Sequence, residues 1–395
     1  MKKISRRGFI KTGAAGAGMF AISPSVISAG TGKQESNIVY RTLGRTGLKV
    51  PVISFGVMRS DNPGLCKAAY EKGITLFDTA NGYQEGNNET MLGNLFKEYP
   101  RTSFILATKI KPTQDREGKP TSDATAENFL SMFNTSLSRL QMDSVDILYV
   151  HDISNPELLD YKPVINTVLK LKKDGKARFI GFSTHRNEPQ VISAAADSGI
   201  WDVILTQYNY RYAAMDEINL AIKKAAGAGI GIVAMKTLAG GGYLDRERTK
   251  PMNTSAALKW VLSNPDVHTT IPGMTSFEQL EANEKLLTDI SLNEQEKSDL
   301  VAMLDEPGLH CSGCTRCVSS CPYTLPVQDL MRAYMYAYGY SNPAMAKTLL
   351  GELGITGDPC SNCNACSINC PQGFNVREKI ADISRLSSVP SEFLA

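Results

Sequence analysis

The chain has 395 residues, 42% of them hydrophobic, enough for one large core and a smaller unit beside it. Its 42 basic and 40 acidic side chains nearly cancel, so the charge favours neither a nucleic-acid partner nor an anionic membrane surface. Eight of the nine cysteines lie beyond His310, and the two units should divide near that point.

At the N-terminus, Ser5-Arg6-Arg7-Gly8-Phe9-Ile10-Lys11 precedes a modestly apolar, Ala/Gly-rich run over 12–22 and a small-residue stretch over 23–30. This resembles a twin-arginine export signal spanning residues 1–30, with cleavage near Ala29. It predicts an exported, periplasmic protein; the alternative is a cytoplasmic chain with a basic tail. The apolar run is too short and glycine-rich to span a bilayer, and no other stretch approaches one, so no stable membrane insertion is expected.

Residues 38–290 alternate strand-like and helix-like stretches. The strand-like runs are 50–58, 75–80, 104–110, 145–151, 178–183, 203–208, 231–235 and 269–273. They are rich in Val and Ile and mostly continuous, as strands buried on both faces of a parallel sheet should be. Helical patterns follow, including 126–140, 162–173, 190–198, 218–226, 256–262 and 277–287. The repeat predicts an α/β fold, a (β/α)8 barrel. A doubly wound open sheet would normally carry a glycine-rich fingerprint after its first strand, and none stands there. Cys66, in a helix-like stretch after the first barrel strand, reads as a small apolar core residue.

Active sites of such barrels gather at the C-terminal ends of the strands. There the sequence offers Asp78, Tyr83 in the following loop, Lys109 and His151. A phenol is a poor acid at neutral pH, and the Lys109 ammonium beside Tyr83 would lower its pKa. Asp78 would keep Lys109 charged and in place, while His151 would orient a carbonyl oxygen or share the proton. The set suits reduction of a carbonyl, with Tyr83 protonating oxygen, and the reverse oxidation of an alcohol.

With these residues, residues 39–305 resemble the aldo-keto reductase family. The likeness is carried by Tyr40-Arg41-Thr42-Leu43-Gly44-Arg45-Thr46-Gly47-Leu48, Asp78-Thr79-Ala80-Asn81-Gly82-Tyr83, Glu89, Leu92-Gly93, Thr108-Lys109 and Val150-His151. It implies a catalytic tetrad of Asp78, Tyr83, Lys109 and His151 and an NAD(P)H cofactor. By the same resemblance Ser183 and Gln207 hold the nicotinamide carboxamide, and 238–242, including Leu238 and Gly240, cover the pyrophosphate; Lys236, in a stretch that departs from the family pattern, would instead meet the pyrophosphate. Asn283 touches the adenine. Gly273 and Gln279 stand where many NADPH-dependent relatives place Lys and Arg for the 2′-phosphate, so NAD and NADP are both open. Met235-Lys236-Thr237 replaces the usual aromatic, leaving Tyr208 or Tyr210 to stack on the nicotinamide. The substrate would be a small carbonyl, aldehyde, ketone or sugar-like, or its alcohol.

Residues 291–308 read as a linker: a helix over 293–304, with Asn293 and Glu296 in capping-box spacing, and a Pro307-Gly308 break. Beyond it, residues 309–395 carry C-x2-C-x2-C-x3-C-P twice: Cys311, Cys314, Cys317, Cys321-Pro322, and Cys360, Cys363, Cys366, Cys370-Pro371. This is the bacterial ferredoxin run for [4Fe–4S] clusters, in which the fourth cysteine ligates the other cluster. One cluster would take Cys311, Cys314, Cys317 and Cys370, and the second Cys360, Cys363, Cys366 and Cys321. Zinc has no use for the third cysteine and Cys-Pro of each run. Helix-like stretches over 327–338 and 343–353 point to a small, mainly α-helical dicluster ferredoxin-like domain. Tyr334, Tyr336, Tyr338 and Tyr340 read as packing, or as an electron path or docking face.

Together these features predict an NAD(P)-dependent carbonyl oxidoreductase with two clusters, for electron transfer or structure, and a possible redox partner protein. The alternative is an iron–sulfur electron-transfer protein whose barrel is a binding scaffold.

Overall fold

The computed structural model describes residues 37–394 except 116, 117, 307, 315, 318 and 364; the expected export signal lies outside them. The chain opens with an antiparallel hairpin, β1 (Tyr40–Thr42) and β2 (Lys49–Pro51). Its tip needs Gly44 at φ +48°, where a side chain would meet the Gly229 carbonyl at 2.5 Å. The hairpin buries Leu43, Leu48 and Val50 against the interior residues Leu76, Ile147, Leu205 and Val233, closing one end of the barrel.

Eight parallel strands follow: β3 (Phe55–Gly56), β4 (Leu76–Asp78), β5 (Ile105–Ile110), β6 (Val145–Val150), β7 (Ala177–Thr184), β8 (Val203–Gln207), β9 (Gly231–Met235) and β10 (Thr269–Thr270). Each pairs with the next in sequence, and a parallel Ile53–Thr270 bridge joins the first to the last. Backbone bonds Thr270 N→Val52 O (3.0 Å) and Ser54 N→Thr270 O (2.8 Å) reinforce this seam. The predicted barrel is therefore present, but two expected strands are shorter. The run 50–58 divides: Val50 belongs to the hairpin, and Val57–Arg59 form a helical turn. Gly56 passes so close to the Ile271 carbonyl, 2.6 Å from an ideal Cβ, that the seam tolerates no side chain.

The outer layer comprises α1 (Pro63–Glu71), α2 (Asn87–Phe96), α3 (Ala126–Leu140), α4 (Lys162–Lys173), α5 (Glu188–Ser198), α6 (Met215–Gly227), α7 (Thr254–Leu262) and α8 (Phe277–Glu284). Their apolar stripes pack on the outward faces of the strands in one continuous core that includes Cys66. Burial of that size, at about 25 cal/mol per Å² of apolar surface, is the main source of stability. Next comes α9 (Glu294–Asp305), whose reciprocal capping box is formed: Glu296 N donates to Asn293 Oδ1 (2.8 Å) and Asn293 N to Glu296 Oε2 (2.9 Å).

The C-terminal region is helical: α10 (Val327–Tyr334), continued by a π turn over Met335–Gly339, then α11 (Pro343–Glu352) and α12 (Val376–Ser384). They share a second core around Leu330, Ala346, Leu350, Ile380 and Ile383. The sequence reading missed α12, although Asn375 caps it and Val376, Ile380 and Ile383 recur at helical spacing. This region lies across the C-terminal end of the barrel. Lys111 pairs with Glu352 (2.6 Å), Arg186 with Asp329 (3.0 Å) and Arg248 with Ser341 Oγ (2.5 Å).

Candidate active site

Asp78 closes β4 and Lys109 lies on β5, so the parallel register brings them side by side. Both are almost fully buried: Lys109 pairs with Asp78 Oδ1 and donates to the Thr79 carbonyl at 2.6 Å. Burial pushes Asp78 up and Lys109 down, and their contact opposes both shifts. Asp78 Oδ2 is buried without a protein hydrogen-bond partner.

Tyr83 sits in the turn after β4, followed by three residues at positive φ: Gln84 (50°), Glu85 (56°) and Gly86 (92°). Non-glycine residues rarely hold this conformation, and the surroundings pin it. Arg139 donates to the Asn81 carbonyl (2.8 Å) and to Glu89 (3.4 Å), a buried carboxylate that also accepts from Thr108 Oγ1 at 2.6 Å. These contacts hold the Tyr83 ring with Lys109 Nζ 4.8 Å from its centroid and the His151 ring edge-on at 6.0 Å.

The expected fall in the Tyr83 pKa does not survive this geometry. Burial, then Asp78 and Asp152, raise it, because Lys109 spends its charge on Asp78 and Thr79. Tyr83 is a held phenol, protonated until something accepts its proton. Burial, then Lys109, push His151 down to about 3, so it is a neutral imidazole.

Asp78, Tyr83, Lys109 and His151 open on one cavity of about 750 Å³. It runs from this cluster past Lys236 and Leu238 to Gly273, Gln279 and Asn283. Three of the expected nucleotide residues, Lys236, Leu238 and Asn283, therefore share a cavity with the tetrad. Gln207 lines a smaller adjoining pocket with Lys236, His310 and Cys311. Ser183 Oγ accepts from Asp152 N at 3.0 Å, so it supports the turn after β6. Gly240 packs against the C-terminal domain: a side chain there would lie 2.5 Å from His310 Cδ2. Tyr208 is not free to stack on a nicotinamide, since it is stacked on Trp260 (5.2 Å) and donates to Asn219 at 2.7 Å. Tyr210 is buried beside Arg211 and lines the smaller pocket.

The nine cysteines carry free thiols; Cys66 is buried in the barrel core, and the other eight lie in the two C-terminal runs. Around Cys311 the charged neighbours are Cys317, Cys314 and Cys370; around Cys360 they include Cys321, Cys363 and Cys366. Cys370 thus lies near the first run, whereas Cys321 neighbours both Cys317 of its own run and Cys360 of the other. Burial first, and the neighbouring thiols after it, raise Cys311 to about 12, against a lowering hydrogen bond from Gly313 N, and Cys317 to about 11, a cost that iron cations would offset. Among the described residues no three His, Cys, Asp or Glu side chains converge closely enough to hold a single ion.

Sequence reasoning missed that the C-terminal domain lines the cavity: Tyr336 and Tyr340 were read as packing or as an electron path or docking face, and Arg332 and Glu352 were not singled out. Arg332, Tyr336, Tyr340 and Glu352 line it alongside Lys111, Asp152 and His185. Lys111, Asp152 and His185 follow strand ends and were open to inference; the others come from helices whose docking no local pattern reveals.

Residues 57–256 match the family model described as "Aldo/keto reductase family", and 310–375 match "4Fe-4S dicluster domain". L-galactose dehydrogenase of Arabidopsis thaliana is 29% identical over 312 residues, covering 68% of this chain and 95% of that protein. A putative voltage-gated potassium channel subunit beta of Schizosaccharomyces pombe is 28% identical over 315 residues, covering 65% and 90%. Among solved structures, an aldo-keto reductase of Bacillus halodurans in its holo form is similar at TM-score 0.55 and 25% identity, covering 67% of this chain and 96% of that one. With the barrel, the strand-end cluster and a family match over half its length, the chain belongs to the aldo/keto reductase family and is an oxidoreductase bearing a 4Fe-4S dicluster domain.

Proposed function

We propose that the chain interconverts a small carbonyl compound and its alcohol with a bound NAD(P), and carries two [4Fe–4S] clusters in its C-terminal domain. The observation that carries this reading is the meeting of Tyr83, the Asp78–Lys109 pair and His151 on one cavity of about 750 Å³ that Lys236, Leu238 and Asn283 also line. The nicotinamide, when bound, supplies or accepts the hydride. Tyr83 Oη gives a proton to the substrate oxygen in reduction and takes it back in oxidation. Lys109, held by Asp78 with its Nζ 4.8 Å from the Tyr83 ring centroid, would offset part of the negative charge that reduction leaves on Tyr83. Neutral His151 offers a hydrogen bond to the substrate oxygen without competing for the proton.

Lys236, Leu238 and Asn283 would hold the nucleotide, with Gln207 beside them. Gly273 and Gln279 themselves carry no charge, but Arg59 Cδ lies 3.8 Å from where a Gly273 Cβ would stand, so the lining is compatible with either NAD or NADP. Cys311, Cys314, Cys317 and Cys370 would hold one cluster and Cys360, Cys363, Cys366 and Cys321 the other. The hydroxyl and charged side chains on part of the cavity wall and the likeness to a protein named L-galactose dehydrogenase favour a sugar-like substrate. The export motif favours a periplasmic protein that retains its nucleotide; a reporter fused after Gly30 tests export. For the chemistry, Tyr83→Phe should lower turnover by about 10²-fold or more at unchanged iron content. Full activity in that variant would remove Tyr83 from the reaction.

A further inference from the structure

Arg332, on α10 of the C-terminal domain, reaches the turn that follows β6 of the barrel. Its side chain is only 10% exposed, and it spans Asp152 (3.5 Å to each carboxylate oxygen) and Asp329 (2.8 Å). Asp152 immediately follows His151 and holds φ +64°, a conformation that costs a non-glycine residue energy unless its surroundings enforce it. Four contacts enforce it: Arg332, Lys111 (3.5 Å), the Ser183 hydroxyl on its N–H, and Gln114 on its carbonyl (3.2 Å). Arg332 is the one of the four that comes from the C-terminal domain.

The π turn after α10 then places Tyr336 and Tyr340 on the cavity, ring centroids 5.7 Å apart, both phenols within electrostatic reach of Tyr83. Single π turns tend to occur where a helix re-aims side chains at a site. The charges of this wall are spent on one another, Arg332 on Asp152 and Asp329, Lys111 on Asp152 and Glu352. Arg332 Nε and His185 Nδ1, by contrast, are buried without protein partners. A wall of paired charges and exposed hydroxyls suits an uncharged ligand rich in hydroxyls better than an anion or a hydrocarbon.

We propose that the C-terminal domain completes the reductase's substrate site: Tyr336 hydrogen-bonds a hydroxyl of a hydroxyl-rich carbonyl substrate, and Arg332 is a positioning residue that holds the His151-Asp152 turn. The inference rests on the proposed carbonyl chemistry but makes separate demands. In the full, cluster-loaded chain, reduction of glyceraldehyde is compared with reduction of propanal, the same carbon skeleton without hydroxyls. Tyr336→Phe should lower the glyceraldehyde-to-propanal ratio of kcat/KM about tenfold, the worth of one hydrogen bond. Arg332→Met should lower kcat on both aldehydes about tenfold or more at nearly unchanged KM, and Arg332→Lys should restore part of it. An unchanged ratio in Tyr336→Phe, or full kcat in Arg332→Met, overturns the corresponding assignment. If the unaltered chain reduces neither aldehyde, the carbonyl reading fails on its own. The positioning role is still read from hydrogen exchange at the backbone amides of 151–153: faster exchange in Arg332→Met supports it, and unchanged exchange overturns it.

Discussion

At the residue scale, the tetrad was legible because each member ends a strand or begins the loop after it, and strand ends are what an α/β repeat makes readable. Their proton affinities were not legible, because these depend on burial and on which partner each charge chooses. Lys109 was expected to acidify Tyr83 but is committed to Asp78 and Thr79 O, and Tyr83 rises instead. His151, pushed down to about 3 by burial and then by Lys109, is neutral around pH 7. The pH profile of kcat should therefore show no limb near 6.5, and a limb there that disappears in His151→Gln would contradict the assignment. Lys236, lowered to about 8 by burial and then by Arg332, is charged below that pH and neutral above it. Affinity for NAD(P) should fall as pH rises through about 8, and titration calorimetry on Lys236→Met should lose that dependence.

At the scale of elements, α3 and α4 occupy the ranges their periodicity predicts, since each has a long amphipathic stripe and a clear end. The first and last barrel strands are shorter than their apolar runs. Their length is decided by the seam they form with each other, which no local pattern encodes. Close approach of elements is equally invisible until the fold is seen. Gly93 in α2 lies against the end of α3, where a Cβ would collide with the Arg139 carbonyl and lie 2.7 Å from that of Leu140. Gly93→Ala should cost about 1–3 kcal/mol, since backbone on both sides cannot yield as a side chain would. Thermal unfolding of the barrel would check this, and an unchanged midpoint would mean that α2 and α3 shift apart freely.

At the scale of the whole molecule, the C-terminal domain roofs the cavity that the barrel floors. Arg246 stacks on Tyr338 (5.5 Å) and pairs with Asp382 (3.4 Å), tying the segment after β9 to this roof. A nucleotide beneath that segment should leave slowly. Protein purified without oxygen and then denatured should release about one NAD(P) per chain, as mass spectrometry would show; its absence at full iron content would deny retention. The exchange of fourth cysteines makes a second demand. Cys370→Ser and Cys314→Ser should perturb the same cluster by electron paramagnetic resonance, and Cys321→Ser the other. Grouping of Cys370 with Cys360 would refute the exchange.

The sequence by itself determined the parts: a parallel barrel from eight apolar runs, a strand-end tetrad, and two cysteine runs whose spacing suits cubane clusters. These are legible because helical and strand periods, turn residues and metal-ligand spacings are local. Only the tertiary structure decided how the parts meet. That Arg332 and Tyr336, some 180 residues beyond His151 in the chain, share its cavity follows from the docking of one folded surface on another. Such docking depends on shape and buried charge summed over both domains, which no stretch of sequence states alone.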